Sequence, residues 1–504
     1  MLPSPPTRPT KVVVIGGGIG GLTAAALLAH RGYTVKVFDQ ALVPGGCAST
    51  FKRRGFTFDV GATQVAGLEP GGIHHRIFHE LGIDLPAATH CDPACAVFLP
   101  GETEPINVWR DPDRWRAERQ RQFPGSEPFW QKLSDLFEYS WQFQANDPVL
   151  PPRSPWDVWQ LAQALRPKTL LTVPYTFSTV GQLLRGYGLA KDRRLKTFLD
   201  LQLKLYSQVG ADDTALLYAA TALGVSQAPQ GLFHLDGSMQ VLSDRLVESL
   251  TRDGGMLHLR HTVEAIELDQ GQPRRVRVRH QKTDETWLEP ADHVVSNVTV
   301  QDLVRLLGDN APQGYAHRVE KLPPASGAFV VYLGVDRAAI PAGCPPHLQF
   351  LYDYDGPIGE NNSLFVSVSH PDDGRAPAGM ATVIASSFTD ASAWAKTDDY
   401  DGLKAQYQAG AIARLNTYFD LKPEHLIHVE SGTPRTFARY TARHQGQVGG
   451  IGQRVPTFGP FGFANRTPIP HLWLVGDCTH PGEGTAGVSY SALTAVRQIE
   501  QCQR

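Results

Sequence analysis

Apolar runs and glycine-rich turns alternate in the first forty residues of the chain. The run KVVVIG from Lys11 is continuously apolar, as in a strand that is buried on both faces of a parallel sheet. The segment GGIGGLTAAALLAHRG follows with the length and composition of a helix that ends near Gly32, and YTVKVFD is a second apolar run. This order predicts a Rossmann-type βαβ unit within roughly 30 residues.

The remaining pattern predicts an insertion and then a return to the first architecture. FTFDVGAT alternates like a strand, and helical periods with clustered prolines dominate between about residues 90 and 230, which indicates a helical insertion. A helix in GSMQVLSDRLVESLTRDGG precedes strands around HLRHTVEAIEL and RRVRVRH. The later strands GAFVVYLGV, SLFVSVS and ATVIASS predict a mixed sheet beneath a substrate cavity. The last forty residues repeat the order strand (HLWLVGD), glycine-rich loop and helix (SYSALTAVRQIEQ).

Composition excludes some classes of function. With 504 residues, 42% of them hydrophobic, and a net charge of −3, the chain has a sizeable core and no field that would hold a polyanion, so a nucleic-acid partner is not expected. The six cysteines are scattered without a Cys-x-x-Cys pair, which favours a reduced, cytoplasmic protein. No apolar window is long enough for a spanning helix, so any membrane contact is expected to be peripheral.

The first glycine-rich turn carries a dinucleotide-binding fingerprint. Gly16, Gly18 and Gly21 have the spacing G-x-G-x-x-G between a strand and a helix, where they allow a tight turn, approach to a pyrophosphate and close helix packing. Asp39 ends the second strand and can accept hydrogen bonds from ribose hydroxyls. These features fit NAD as well as FAD.

The C-terminal motif favours flavin. In LWLVGDCTHPGEGTAGVSYSA, Asp477 is predicted to close a strand before a glycine-rich turn into a helix. A carboxylate there can bind a ribityl hydroxyl, while the helix N-terminus stabilises negative charge on a reduced flavin ring. FAD is therefore the predicted cofactor.

Several segments together resemble the phytoene desaturase-like flavoproteins, which include carotenoid desaturases and carotenoid cis–trans isomerases. The segments are VVVIGGGIGGLTAAALLAHRGYTVKVFDQ, PGGCASTFKRRGFTFDVGAT, the GSMQ helix, VVSN and LVGDCTHPGEGTAGVSYSA. The sequence around PGGCASTF most resembles the cyanobacterial carotenoid 3′,4′-desaturase branch, which acts on monocyclic carotenoids on the route to myxol-type glycosides. The resemblance covers nearly the whole chain.

The resemblance implies an α/β fold of the amine oxidase and phytoene desaturase type, with a discontinuous FAD-binding domain and an inserted substrate domain. The expected FAD-binding segments are residues 11–88, 232–300 and 440–504. Residues 89–231 and 301–439 are expected to bind substrate and to contact the membrane, and the proline-rich residues 1–10 to form a flexible tail. The expected FAD-binding residues are Gly16, Gly18, Gly20, Gly21, Asp39, Gly46, Arg54, Gly61, Val263, Gly476, Asp477 and Gly487.

One position departs from the family pattern. Many bacterial phytoene desaturases have arginine after the second glycine pair, where this chain has Cys47. Arg53 or Arg54 is expected to supply the missing charge, and Cys47 to pack as a small apolar residue.

Candidate catalytic residues are few. His480 and Glu483 lie in the loop beside the predicted flavin ring and are candidate proton acceptors, although turn residues are common at such positions. His74, His75 and His79 have helical spacing, but no carboxylate motif joins them, so a surface helix without a metal is expected.

The expected substrate is a lipophilic carotenoid in a long apolar tunnel, with oxygen or a quinone as the electron acceptor. The segment PWDVWQLAQALRPKTLLTVPYTF combines tryptophan, leucine and cations as an interfacial segment does, although an amphipathic core helix has the same pattern. The alternatives to a desaturase are a carotenoid isomerase that uses reduced FAD, an FAD amine oxidase, and a non-catalytic prenyl-binding escort protein of the same fold.

Overall fold

A computed structural model describes residues 10–502 of the chain. Residues 1–9, which hold most of the predicted flexible tail, and residues 503–504 lie outside the described range. Thr10 begins the described chain, and its carbonyl oxygen accepts a hydrogen bond from the Thr34 amide.

The strands of the first part of the described chain are β1 (Lys11–Ile15), β2 (Thr34–Asp39), β3 (Thr50–Arg53), β4 (Phe56–Asp59), β5 (Ala88–His90), β6 (Cys95–Phe98), β7 (Ile106–Val108), β8 (Phe233–Leu235) and β9 (Met256–Leu259). The later strands are β10 (His261–Asp269), β11 (Gln272–His280), β12 (Thr286–Pro290), β13 (His293–Ser296), β14 (Ser326–Asp336), β15 (His347–Leu351), β16 (Ser363–Val368), β17 (Met380–Asp390), β18 (Leu426–Gly432) and β19 (Leu472–Leu474).

The helices up to residue 252 are α1 (Ile19–His30), α2 (Ile73–Leu81), α3 (Pro112–Gln122), α4 (Glu127–Gln144), α5 (Pro155–Ala164), α6 (Pro167–Leu170), α7 (Val180–Gly186), α8 (Arg193–Ser207), α9 (Leu216–Gly224) and α10 (Gln240–Arg252). The later helices are α11 (Val300–Leu307), α12 (Gln313–Glu320), α13 (Ala391–Lys396), α14 (Tyr400–Leu415), α15 (Pro434–Thr441) and α16 (Gly484–Gln501).

A parallel sheet joins the two ends of the chain. Its strand order is β19-β13-β1-β2-β9, and every neighbouring pair in it is parallel. Helix α1 is buried from Ile19 to Ala29 because it packs against the sheet, α10 and α16, which explains why its sequence is apolar on all sides. The predicted βαβ unit and its C-terminal counterpart are confirmed.

A larger mixed sheet forms the second layer of the molecule. Its order is β18-β14-β17-β16-β15-β6-β7, with long antiparallel pairing between β14 and β17. Helices α3, α4, α8 and α9 share a hydrophobic cluster with β6 and β7. The predicted α/β fold, with a Rossmann-type sheet and a mixed substrate sheet, is confirmed.

Two local predictions differ from the structure. The segment predicted as a helical insertion from about residue 90 contains β6 and β7. Strand β6 pairs with β15, more than 240 residues away in sequence, and β7 pairs with β6. Strands β6 and β7 have only four and three residues, which is too few for a periodicity that separates strand from helix. The strand β19 ends at Leu474, so Asp477 lies in the following turn and does not close the strand.

Buried charges connect the β16–β17 loop of the mixed sheet to β4 and β8. Asp59, at the end of β4, pairs with Arg375 at 3.1 Å, and Arg375 also contacts Asp373 at 3.2 Å. His234 on β8 lies 2.9 Å from the same Asp373 carboxylate. These side chains are almost fully buried, and they hold the β16–β17 loop against β4 and β8.

Candidate functional site

A cavity of about 860 Å³ runs between the two sheets. It begins at the β1–α1 turn and the end of β2, passes the β19–α16 loop, and reaches α4, α5, α6 and α9. The predicted cofactor residues that line it are Gly16, Gly18, Gly20, Asp39, Gly46, Gly61, Val263, Gly476, Asp477 and Gly487.

The first glycine turn has a backbone that other residues would not fit. Gly16 has φ +96°, and a Cβ at Gly21 would overlap the Gly16 carbonyl oxygen. Gly18 is the N-cap of α1, so the free amides of the helix N-terminus point into the cavity. This geometry is suited to a pyrophosphate.

Asp39 is held by backbone amides at the end of β2. Its Oδ2 accepts from Gly17 N at 2.5 Å, and its Oδ1 accepts from Ala41 N at 2.7 Å. Burial raises the pKa of Asp39, whereas these two amides act in the opposite direction. Each oxygen keeps a lone pair for a ribose hydroxyl.

The second glycine pair packs directly on the first turn. Gly45 N donates to Gly17 O at 2.8 Å, and Gly46, with φ +60°, lies against Gly18. Cys47 lines the cavity next to this pair, and burial raises the pKa of its thiol. A neutral, small side chain at Cys47 agrees with the expected packing role.

Arg443 is a cavity residue that sequence reasoning missed. Its Nη2 lies 2.8 Å from Asp477 Oδ2 and also donates to Gly449 O, and its charge acts on Cys47. The Arg443 guanidinium therefore lies close to Cys47, and Cys47 is the position at which the family pattern has arginine. Arg54, the predicted source of this charge, is exposed, donates to Ile427 O and lies outside the cavity lining. Arg53 is also exposed and lies near Glu430.

Asn297, at the end of β13, connects the two glycine-rich loops. Its Nδ2 contacts Gly16 O at 3.4 Å, and side chains at Gly20 or Gly476 would collide with its amide. The sequence signal was present in the segment VVSN, but the contact depends on the parallel pairing of β13 with β1.

His480 and Glu483 both line the cavity, in the loop between β19 and α16. Burial lowers the pKa of His480 to about 4, so its imidazole is neutral at pH 7. Burial, with a contribution from the charge of Asp477, raises the pKa of Glu483 to about 8. Glu483 Oε2 accepts from Gln208 Nε2 at 2.9 Å. The loop therefore offers a neutral imidazole and a protonated carboxyl.

Lys204 is a second cavity residue that the sequence did not indicate. Its Nζ donates to Gln208 O at 2.9 Å and Ser326 Oγ at 3.0 Å, and it lies over the Phe388 ring. Burial lowers its pKa. In the sequence of α8 this lysine has the position of an ordinary polar-face residue, and only the contact with Ser326 of β14 shows that it is half-buried.

The three predicted histidines of α2 do not all lie at the surface. His74 is 1% exposed and both its ring nitrogens lack a partner, whereas His79 is exposed. The expectation of a surface helix is thus wrong for His74, because its ring packs against Phe78 in the core. No group of metal-ligating side chains was found among residues 10–502.

The cavity defines a dinucleotide-binding protein of the flavoprotein type. The N-termini of α1 and α16 open onto one space, and a Cβ at Gly16 or Gly18 would come within 3 Å of Asn297. The chain belongs to the flavin containing amine oxidoreductase family, whose sequence model matches residues 19–499.

Curated relatives share nearly the full length. The chain is 26% identical to the chloroplastic prolycopene isomerase of Daucus carota, over 98% of this chain and 80% of that protein. It is also 26% identical to the zeta-carotene-forming phytoene desaturase of Myxococcus xanthus, over 98% and 94% of the two chains. Among solved structures, cyclohexylamine oxidase from Brevibacterium oxydans has a TM-score of 0.63 at 17% identity, over 98% of this chain and 100% of that one, which shows the fold.

Proposed function

We propose that the protein is an FAD-dependent carotenoid desaturase that forms the C-3′,4′ double bond of a monocyclic carotenoid. The observation that carries the proposal is the cavity, which joins a dinucleotide cradle to an apolar entrance. Full-length similarity to a phytoene desaturase and to prolycopene isomerases supports a carotenoid as the substrate class. The particular bond rests on the sequence resemblance to the 3′,4′-desaturase branch.

The residues of the cradle fit FAD. The α1 N-terminus at Gly18 would hold the pyrophosphate, Asp39 the adenosine ribose, and Asp477 with Arg443 the ribityl side of the cofactor. Bound FAD supplies a two-electron oxidant that accepts hydride. The α16 N-terminus at Gly484 would stabilise negative charge on the reduced ring.

The protein itself supplies orientation and exclusion of water. Leu161 on α5, Leu165 directly after it and Leu217 on α9 line the part of the cavity away from the cradle. A carotenoid has no charged group that an ion pair could hold, so contact with such walls must fix its position. Holding two neighbouring carbons beside the cofactor supplies much of the rate enhancement.

An apolar patch lies at the entrance to the cavity, and we propose that it rests on a lipid bilayer. The patch consists of residues that are each half exposed or more: Val158, Trp159, Leu170, Leu171, Val173 and Phe177. Val173 also lines the cavity, and the cations Arg166 and Lys168 lie among the patch residues in sequence. Such a surface can bind at a membrane interface, where an insoluble carotenoid is stored. No helix among residues 10–502 is long and apolar enough to cross a membrane.

A carotenoid cis–trans isomerase is the second candidate function. Similarity to the prolycopene isomerases of Daucus carota and Arabidopsis thaliana, at 26% identity over 97% or more of this chain, favours it. In that reaction the cofactor would act in its reduced form, and the number of conjugated double bonds would stay the same.

Expression in hosts that make lycopene or γ-carotene, followed by pigment analysis, tests the proposal. A desaturase yields a product two mass units lighter with a red-shifted absorption maximum. An exchange of isomers at constant mass would overturn desaturation and support the second candidate. Hydrogen peroxide release with amines and unchanged carotenoids would overturn both, and a purified chain that binds no flavin would leave only the escort alternative.

A further inference from the structure

His480 lies where the cofactor side of the cavity meets the substrate side. It precedes α16, whose first residues line the cradle, and it contacts Gln144, the last residue of α4. The rings of Phe458 and Tyr490 lie 5.9 and 6.2 Å from the imidazole. His261 also lines the cavity, but near Asp39 at the opposite end of the cradle.

One ring nitrogen of His480 is occupied and the other is free. Nε2 lies 3.0 Å from Gln144 Oε1, and the buried Gln144 Nε2 has no partner. With the amide oxygen as the acceptor, we assign the proton to Nε2. Nδ1 is buried and has no hydrogen-bond partner, which leaves its lone pair available. The residue as a whole is 8% exposed. The unpaired ring nitrogens of His74 lie in the core beside Phe78, whereas His480 lines the cavity.

Desaturation requires a proton acceptor in this apolar space. We propose that Nδ1 of His480 accepts the proton that the carotenoid loses when the new double bond forms, an assignment that rests on the proposed function. One carbon gives up hydride, with both electrons of its C–H bond, to oxidised FAD as the oxidant. The neighbouring C–H bond breaks, its proton passes to Nδ1, and its electron pair becomes the new π bond. Oxygen or a quinone would take the two electrons from the bound cofactor, and the imidazolium releases its proton to water.

The charged groups around His480 do not compete for this role. Asp477 pairs with Arg443, and Asp147 near α4 pairs with Arg76. The Tyr490 hydroxyl donates to Pro148 O. Glu483 is held by Gln208, and its raised pKa makes it an acid at neutral pH. Burial alone lowers the pKa of His480 to about 4, so the imidazole is unprotonated across the neutral range and its Nδ1 lone pair is not taken up by a proton from solvent.

The test compares His480→Ala with His79→Ala, a histidine on the exposed side of α2, in the holoenzyme with a γ-carotene substrate in liposomes. We expect His480→Ala to lower the rate of double-bond formation at least about 100-fold, as for other general bases, with unchanged FAD content and Tm. Added imidazole should restore at least a tenth of the lost rate, and His79→Ala should retain the wild-type rate. If His480→Ala forms product at the wild-type rate, the inference is wrong and the proposed function is unaffected. Absence of the double bond in the wild type would overturn the proposed function and the inference with it.

A second measurement does not depend on turnover. ¹⁵N-histidine NMR should show His480, assigned by its loss in His480→Gln, as the neutral Nε2–H tautomer at pH 7. In Gln144→Glu a carboxylate replaces the amide oxygen, which should raise the His480 pKa and move the acid limb of the rate profile to higher pH. A protonated Nδ1 at pH 7, or an acid limb that Gln144→Glu leaves in place, would contradict the assignment.

Discussion

The ion pair between Arg443 and Asp477 concentrates two opposite charges at the cradle, with side chains only 18% and 16% exposed. Removing one member of such a pair leaves a charge in a poorly solvated place. We expect Arg443→Met to lower the free energy of unfolding by about 3 kcal/mol, and the added substitution Asp477→Asn to recover most of the loss. Urea unfolding of the single and double variants measures this coupling.

An exposed ion pair provides the control for this cycle. The side chains of Arg193 and Asp355 are 58% and 86% exposed, so Arg193→Met should change the stability by less than about 0.5 kcal/mol. If Arg443→Met and Arg193→Met cost the same, the charges at the cradle are solvated and the argument for Arg443 is wrong.

Glu483 gives a pH dependence of stability with a definite sign. Its pKa is about 8 in the folded chain and near the ordinary 4.5 when unfolded, so folding takes up a proton between these values. Its contribution is fully present below about pH 4.5 and is lost as the pH rises to about 8. The stability of the wild type relative to Glu483→Gln should therefore fall over this window and then level off.

Urea unfolding at pH values from about 5 to about 9 checks this prediction through the difference in the free energy of unfolding between the wild type and Glu483→Gln. Glu104→Gln is the control, because the Glu104 side chain is 79% exposed and its partner Arg121 stays charged throughout this range, so its difference from the wild type should stay flat. A difference for Glu483→Gln that is independent of pH would show that the carboxyl titrates normally.

At the scale of elements, α5, α6 and the short 3₁₀ helix Val173–Phe177 form the apolar patch. Each exposed leucine or tryptophan that enters the membrane interface contributes about 1.5 kcal/mol or more. The triple variant Trp159→Ser, Leu170→Ser, Leu171→Ser should bind anionic vesicles at least about tenfold more weakly than the wild type, by vesicle co-sedimentation.

Leu288→Ser is a suitable control for the patch. Leu288 is 41% exposed, but it lies on β12 of a separate three-stranded sheet. Its substitution should leave vesicle binding unchanged, and circular dichroism should show all variants folded. Equal binding by the triple variant and the wild type would mean that the patch does not contact lipid.

At the scale of the whole molecule, one ligand would touch segments from both ends and the middle of the chain. Gly18, Val263 and Asp477 are far apart in sequence and line the same cavity. When FAD is added to the flavin-free protein at about 100 times its Kd, it should stabilise the fold by about 2.7 kcal/mol and raise the Tm of one cooperative transition. NAD at the same concentration should produce no comparable rise.

Gly18→Val should abolish the FAD-dependent rise in Tm, because a Cβ there already approaches the Asn297 amide at 2.9 Å and larger groups would block the phosphate. Gly314→Val on α12 is the matched control, since a Cβ at Gly314 meets nothing within 4 Å. A wild-type chain whose Tm responds to NAD as strongly as to FAD would overturn the flavin assignment.

The sequence by itself determined the features that depend on neighbouring residues. The apolar runs of β1 and β2, the glycine spacing from Gly16 to Gly21 and the position of Asp39 predicted the βαβ unit correctly. The motif around Asp477 likewise predicted a turn into a helix. These features are local because strand burial, tight turns and helix starts are set within a few residues.

Only the tertiary structure decided which distant groups meet. Arg443 reaches Asp477, Asn297 joins two glycine loops, and β6 pairs with β15, although no local pattern links these partners. The same holds for burial: an amphipathic pattern fits both a core helix and a surface helix, so the sequence placed His74 at the surface and left α5 undecided. Which side of a helix meets water depends on what packs against it, and that is a property of the assembled fold.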